Sequence, residues 1–171
     1  MGKIEIESQI GFKEYMKLMY AQTYRKPIMI GITVVGVFLL FLSVWNAIVF
    51  DKWEEIPNRM LIFGFALSVL LPLSIYWIAK RNFNSDPRIG EKMIYSFELE
   101  QFHILGESFN SSMTWDKVYK IQELKNWILI YHNKMIASLI PRPSFSDEEY
   151  LKFREIISKH PNLESNLKKV K

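Results

Sequence analysis

Residues 28–50, IMIGITVVGVFLLFLSVWNAIVF, and residues 60–79, MLIFGFALSVLLPLSIYWIA, carry no charged side chain, and they decide the architecture. The first run has 23 residues and would extend about 34 Å as a helix; the second has 20 and would reach about 30 Å. Each suffices to cross a hydrocarbon core of about 30 Å. A cleaved secretory signal is not expected, because 27 residues of mixed charge precede the first run where a signal has a short positive leader.

The flanks of the two runs set the expected orientation. Lys3, Lys13, Lys17, Arg25 and Lys26 precede the first; Lys80, Arg81, Arg88 and Lys92 follow the second; the connecting DKWEEIPNR (residues 51–59) has only Lys52 and Arg59. By the positive-inside rule both termini are expected in the cytoplasm and the loop outside. Arg25, Lys26, Lys80 and Arg81 stand at the inner boundary, where long basic side chains anchor to headgroups. Tyr24, Tyr76 and Trp77 fall near that boundary, and Trp45 and Trp53 near the outer one, where amphipathic rings are favoured. Pro72 removes a backbone donor from the second run, so a kink is expected near Ser68, whose hydroxyl can satisfy a freed carbonyl. Gly64 and Ser68 form a small-xxx-small pair for close packing against the first run.

Composition narrows the chemistry. A length of 171 residues fits one domain plus a membrane anchor. Mean hydropathy near zero averages two apolar runs with charge-dense segments and describes neither. The absence of Cys excludes disulfides, thiolate metal sites and a cysteine nucleophile. The formal charge of +4 clusters beside the apolar runs, so it serves orientation on a membrane, and nucleic acid is not expected as a partner.

Outward from the runs, Ile4-Glu5-Ile6-Glu7 alternates with period two and predicts a short strand, after which Ser8 can cap a helix reaching about Arg25. That helix can lie in the headgroup plane or continue straight into the first run, and its mixed charge favours continuation. Residues 82–90 are rich in Asn, Ser, Asp, Pro and Gly and predict a turn region. From Met93, an apolar set of Met93, Tyr95, Phe97 and Leu99 alternates with Ile94, Ser96, Glu98 and Glu100. Further short strands are predicted over 102–105, 112–115, 118–123, 127–131 and 135–140, with turns between. Ser146 and Glu149 have capping-box spacing ahead of an apolar stripe of Tyr150, Leu151, Phe153, Ile156 and Ile157, and Pro161 stops the helix.

The expected fold class is therefore an α+β membrane protein: a transmembrane α-helical hairpin plus a small antiparallel β-sheet or barrel closed by a C-terminal helix, an outline that is pleckstrin-homology-like. The expected divisions are 1–27, a cytoplasmic strand and juxtamembrane helix; 28–79, the hairpin; 80–92, a linker; 93–160, the cytoplasmic domain; and 161–171, a frayed tail.

Tyr95-x-Phe97, Trp115-Asp116-x-Val118, Trp127-x-Leu129-x-Tyr131 and Ile140-Pro141-Arg142-x-x-Phe145, in that order before the helix, resemble the C-terminal domain of the YcxB-like family, and the preceding pair of spans resembles that family too. The resemblance implies a domain similar to bacterial pleckstrin-homology folds beneath an anchor in the bacterial cell membrane. It implies no known reaction.

No residue pattern points to catalysis, and no enzyme and no cofactor are expected. His103, His132 and His160 lack a second ligand at metal-binding spacing. Ser108, Ser111 and Ser112 lack a nucleophile elbow. Glu98 and Glu100 share a strand face, but Ser96 and His103 beside them predict solvent. Trp115 is read as core. Trp127, and Arg142 between two prolines beside the helix cap, are the candidate ligand or partner surface, since a guanidinium fork fits phosphate or carboxylate. The expected function is a membrane-tethered interaction or regulatory module; immunity against an antimicrobial peptide is the alternative. Expected partners are the lipid bilayer and a membrane protein or peptide, with homo-oligomerisation through the spans left open.

Overall fold

The computed structural model describes residues 3–50 and 58–167. The expectations for Lys52 and Trp53 in the connecting loop, and for the last residues of the tail, lie outside the described residues. The chain divides into two compact units, Phe12–Asp86 and, from both ends of the chain, Met1–Gly11 with Pro87–Lys171.

The first unit is helical: α1 (Phe12–Thr23), α2 (Pro27–Phe50), α3 (Asn58–Phe65), a π-helical turn (Ala66–Leu70) and α4 (Leu71–Ser85). Two helical stretches, Pro27–Val49 and Arg59–Ser85, are long and apolar enough to cross a membrane. The second runs on to Ser85, four residues into the stretch read as turn, and its regular α-helical bonding is interrupted just before Pro72. Pro72 has no N–H to give to the fourth carbonyl back. The helix widens by one residue just before it, and the Leu71 N–H reaches Ala66 O, five residues away. The Ser68 hydroxyl, within the widened turn, donates back to Gly64 O of α3 at 2.6 Å.

Two glycines let α2 and the second stretch meet backbone to backbone. A Cβ on Gly64 would lie 2.9 Å from Leu40 N and 3.0 Å from Gly36 O; one on Gly36 would lie 2.7 Å from Leu67 Cβ and 2.8 Å from Ser68 N. Gly31 on the same helix has nothing within 4 Å of that position. Gly64→Ala is therefore expected to destabilise the helical unit by about 1–3 kcal/mol through overpacking. Gly31→Ala should be neutral or slightly stabilising. Thermal unfolding of the detergent-solubilised chain checks the pair, and equal midpoints would contradict the close approach.

α1 does not continue into α2 as its charge pattern predicts. It ends at Thr23, and a turn through Tyr24 and Lys26 precedes Pro27. The reason is Pro27, which disfavours helix at the residue before it and cannot donate to a preceding turn. α1 instead lies on α4: the Phe12 ring meets Tyr76 at 5.9 Å and Phe83 at 5.6 Å, and the Tyr20 hydroxyl donates to Pro72 O at 2.8 Å. The unit is thus a hairpin with a third, shorter helix.

The second unit holds β1 (Ile4–Ser8), β2 (Met93–Phe97), β3 (Gln101–Leu105), β4 (Asn110–Thr114), β5 (Lys120–Glu123), β6 (Trp127–Tyr131), β7 (Ala137–Pro141), α5 (Asp147–Ser158) and β8 (Ser165–Asn166). The single small sheet or closed barrel expected from the sequence is corrected to two four-stranded sheets, ordered β1-β2-β3-β4 and β7-β6-β5-β8. A 3₁₀ turn at Trp115–Lys117 breaks the meander and carries the chain from one sheet to the other. β1 pairs antiparallel with β2, from Ile4 opposite Phe97 to Ser8 opposite Met93. The tail, read as frayed, contributes β8, parallel to β5 with Ser165 opposite Ile121.

The alternation seen in sequence chooses the core. Ile4 and Ile6 of β1, Tyr95 and Phe97 of β2, and Phe102 and Ile104 of β3 are buried, while Glu5, Glu7, His103 and Leu105 between them are not. Trp115 is buried as expected, its Nε1–H donating to Glu98 O at 3.0 Å. α5 covers this core with Phe153, Ile156 and Ile157. Its start is the predicted capping box: Glu149 N–H donates to Ser146 Oγ, and Ser146 N–H to Glu149 Oε2 at 2.8 Å. Ser146 holds the Glu149 carboxyl below its usual range.

Candidate functional site

Trp77, Lys80, Arg81 and Asn84 recur at helical spacing, so one face of α4 carries them all. With Ile78 they line an open cleft on that helix. Lys80 Nζ sits 5.8 Å from the centre of the Trp77 ring, itself largely exposed, a cation–π distance. Arg25 and Lys26 lie in the turn between α1 and α2. Cations for phosphate, an aromatic ring for the interface and aliphatic surface beside it are the chemistry that holds a phospholipid headgroup.

The structure brings Trp127 and Arg142 to one end of the second sheet. Trp127 opens β6 opposite Pro141, and the Arg142 N–H donates to Asn126 O at 2.9 Å. Trp127 is buried, part of a β6 in which Trp127, Ile128, Leu129 and Ile130 are all covered, the pattern of a strand enclosed on both faces. The Arg142 guanidinium lies 3.8 Å from the Tyr150 ring centre and donates through Nη1 to Phe145 O and through Nη2 to Asp147 Oδ1, both at 3.2 Å. Its fork thus braces the junction of β7 and α5, and an incoming anion would have to displace Asp147. Tyr150 donates to Glu123 Oε2 at 2.6 Å and accepts from Arg154 Nη1 at 3.1 Å; burial pushes its phenol pKa up.

The three histidines stand apart, each with its own neighbour. His103 Nε2 is 4.0 Å from Glu98 Oε1, His160 Nε2 is 2.7 Å from Leu99 O, and His132 Nε2 is 2.7 Å from Ser138 Oγ. Burial lowers the His132 pKa. The Tyr95 hydroxyl points into the core toward Leu139 O at 3.3 Å, and burial raises its pKa far above the usual range.

Sequence reasoning missed the connection between β6 and β7. The sequence pattern assigns Met135 and Ile136 to a strand, but β7 begins at Ala137 and both residues stand exposed on the preceding turn. The available signal was Asn133, whose side chain can cap a turn two residues on.

Comparison with known proteins agrees over most of the chain. Residues 97–157 match a family model described as YcxB-like protein. The chain is also 26% identical over 164 residues to "Uncharacterized protein YcxB" of Bacillus subtilis (strain 168), covering 92% of this chain and 89% of that protein. No solved structure matches.

Proposed function

We propose that this chain, whose residues 97–157 match the YcxB-like family model, is a membrane-tethered interaction or regulatory module without catalysis. The helical unit crosses the bacterial cell membrane as a hairpin, and the sheet unit is held at the cytoplasmic face. What carries this reading is the state of the two apolar helices. In an 18-residue apolar stretch of each candidate span only 11% is buried, and Val34, Val37, Phe38, Phe41, Ile62 and Phe63 present exposed side chains. A core helix of a soluble protein would be covered; a contiguous apolar surface of this size needs lipid.

The order of strands supports the pleckstrin-homology-like reading of the sheet unit: a meander β1-β2-β3-β4, a second meander β5-β6-β7, then the covering α5. The basic residues flanking the helices support a cytoplasmic location for both termini. Tethering raises the domain's effective concentration toward headgroups and membrane partners, so a weak surface is enough to act.

Alkaline extraction and external protease test this together. The chain is expected to stay with the membrane at high pH, and a C-terminal epitope should survive protease on intact cells and be lost after permeabilisation. Release at high pH, or loss of the epitope from intact cells, would overturn it.

A further inference from the structure

The turn of residues 132–136 presents the most exposed large hydrophobic side chain among the described residues. Met135 is 91% exposed and Ile136 61%, whereas the barest residue on the long apolar helices, Ile28, reaches 66%. The turn is firmly built. Asn133 Oδ1 accepts from the N–H groups of Met135 and Ile136 at 2.8 and 2.9 Å, and His132 N–H donates to Ile136 O at 2.9 Å. These bonds fix the turn's backbone with both apolar side chains exposed, so little backbone ordering entropy is lost when they are buried elsewhere.

The surroundings point to one kind of occupant. Tyr119 N–H donates to Tyr131 O at 2.8 Å, placing an exposed Tyr119 beside the base of the turn. Lys120 Nζ lies 5.0 Å from the Tyr131 ring centre and 5.8 Å from that of Tyr119, and Lys134 is exposed within the turn itself. An aliphatic tip backed by phenol rings and two ammonium groups is the composition that partitions into the headgroup layer of an anionic leaflet.

We propose that the β6–β7 turn is a membrane-seating tip, with Met135 and Ile136 entering the interface of an anionic leaflet while Lys120 and Lys134 meet lipid phosphate. This deepens the tethered-module reading and rests on it: the lipid surface becomes the ligand of the sheet unit as well as the solvent of the helices.

The absence of native Cys makes a clean probe. Met135→Cys and, as a reference on α5, Lys152→Cys are each labelled with an environment-sensitive fluorophore in the full-length chain. The chain is then reconstituted into nanodiscs of phosphatidylcholine alone or with 30% phosphatidylglycerol. The probe at 135 should shift to the blue and brighten several-fold with phosphatidylglycerol, and the probe at 152 should stay aqueous. Adding Lys120→Glu and Lys134→Glu should weaken the apparent seating about fivefold per charge. A probe at 135 that reports water in both lipids overturns the inference, as does insensitivity to both charge reversals. Quenching of tryptophan fluorescence by brominated acyl chains in the same discs, with Trp45 and Trp77 on the two apolar helices, keeps the two readings separate: its absence would defeat the tethered hairpin, whereas its presence with an aqueous tip defeats the seating alone.

Discussion

A fragment beginning at residue 87 is expected not to fold on its own, whereas the same fragment with residues 1–11 joined ahead of it should fold as a soluble domain. β1 supplies Ile4 and Ile6 to the core and pairs along its whole length with β2. Removing two buried Ile side chains forfeits about 1.5–3 kcal/mol each, 3–6 kcal/mol together. Against a typical domain stability of about 5–15 kcal/mol that is a large fraction. Loss of β1 also bares the β2 edge, a template for aggregation. Joining Gly11 directly to Pro87 keeps nine residues between paired Ser8 and Met93, ample for a hairpin connection. Amide-resonance dispersion and a cooperative thermal transition should be present in the joined chain and absent from the 87–171 fragment. A fragment melting as the joined chain does would refute a structural need for β1.

That result turns on a feature the sequence displayed only halfway. The alternation Ile4-Glu5-Ile6-Glu7 announces a strand, and an apolar strand with one polar face needs a partner, but nothing local says that the partner lies at residues 93–97, beyond the two apolar runs. The apolar runs were legible at three of their four ends, because an uncharged stretch of that length stands out from charged flanks, but the second helix continues past residue 79 to Ser85 through polar residues that read as turn. The strands from Gln101 to Tyr131 were legible to within about two residues where turn residues bound them, but Trp115 and Val118, read into strands, lie at the turn between the sheets. The barrel was the wrong closure: strand count and periodicity do not say which edges meet, and the turn at Trp115–Lys117 opens the meander into two sheets. The course of α1 was misread because charge was weighed above Pro27, whose ring forbids the straight path. Of the candidate site, Arg142 was located correctly next to the α5 cap, but its stacking on Tyr150, eight residues on, is a tertiary fact. The exposed Met135 was invisible because an apolar pair beside a strand reads as strand.

Phe97→Ala should be the most damaging single substitution in the sheet unit, lowering its stability by about 3–5 kcal/mol. Phe97 is fully buried at the meeting point of five other rings: Phe153 at 5.0 Å, Phe145 at 5.9 Å, Trp115 at 6.2 Å, Phe102 at 6.3 Å and Tyr95 at 6.4 Å. Those neighbours come from β2, β3, the turn between the sheets, the approach to α5 and α5 itself, so one truncation opens a cavity against several elements of the core at once. The edge-on contact with Phe153 adds the directional attraction of an aromatic pair to simple area burial. Phe97→Leu keeps most of the volume and should be considerably milder. Leu151→Ala, on the exposed side of α5, should shift stability by under about 0.5 kcal/mol. Urea unfolding of the joined 1–11 and 87–171 chain, followed by Trp fluorescence, would rank the three variants. If Phe97→Ala fell within 1 kcal/mol of the parent, the ring cluster would not be what binds the first sheet, the turn after it and α5 into one core, and the domain would have to draw its stability from the strand ladders instead.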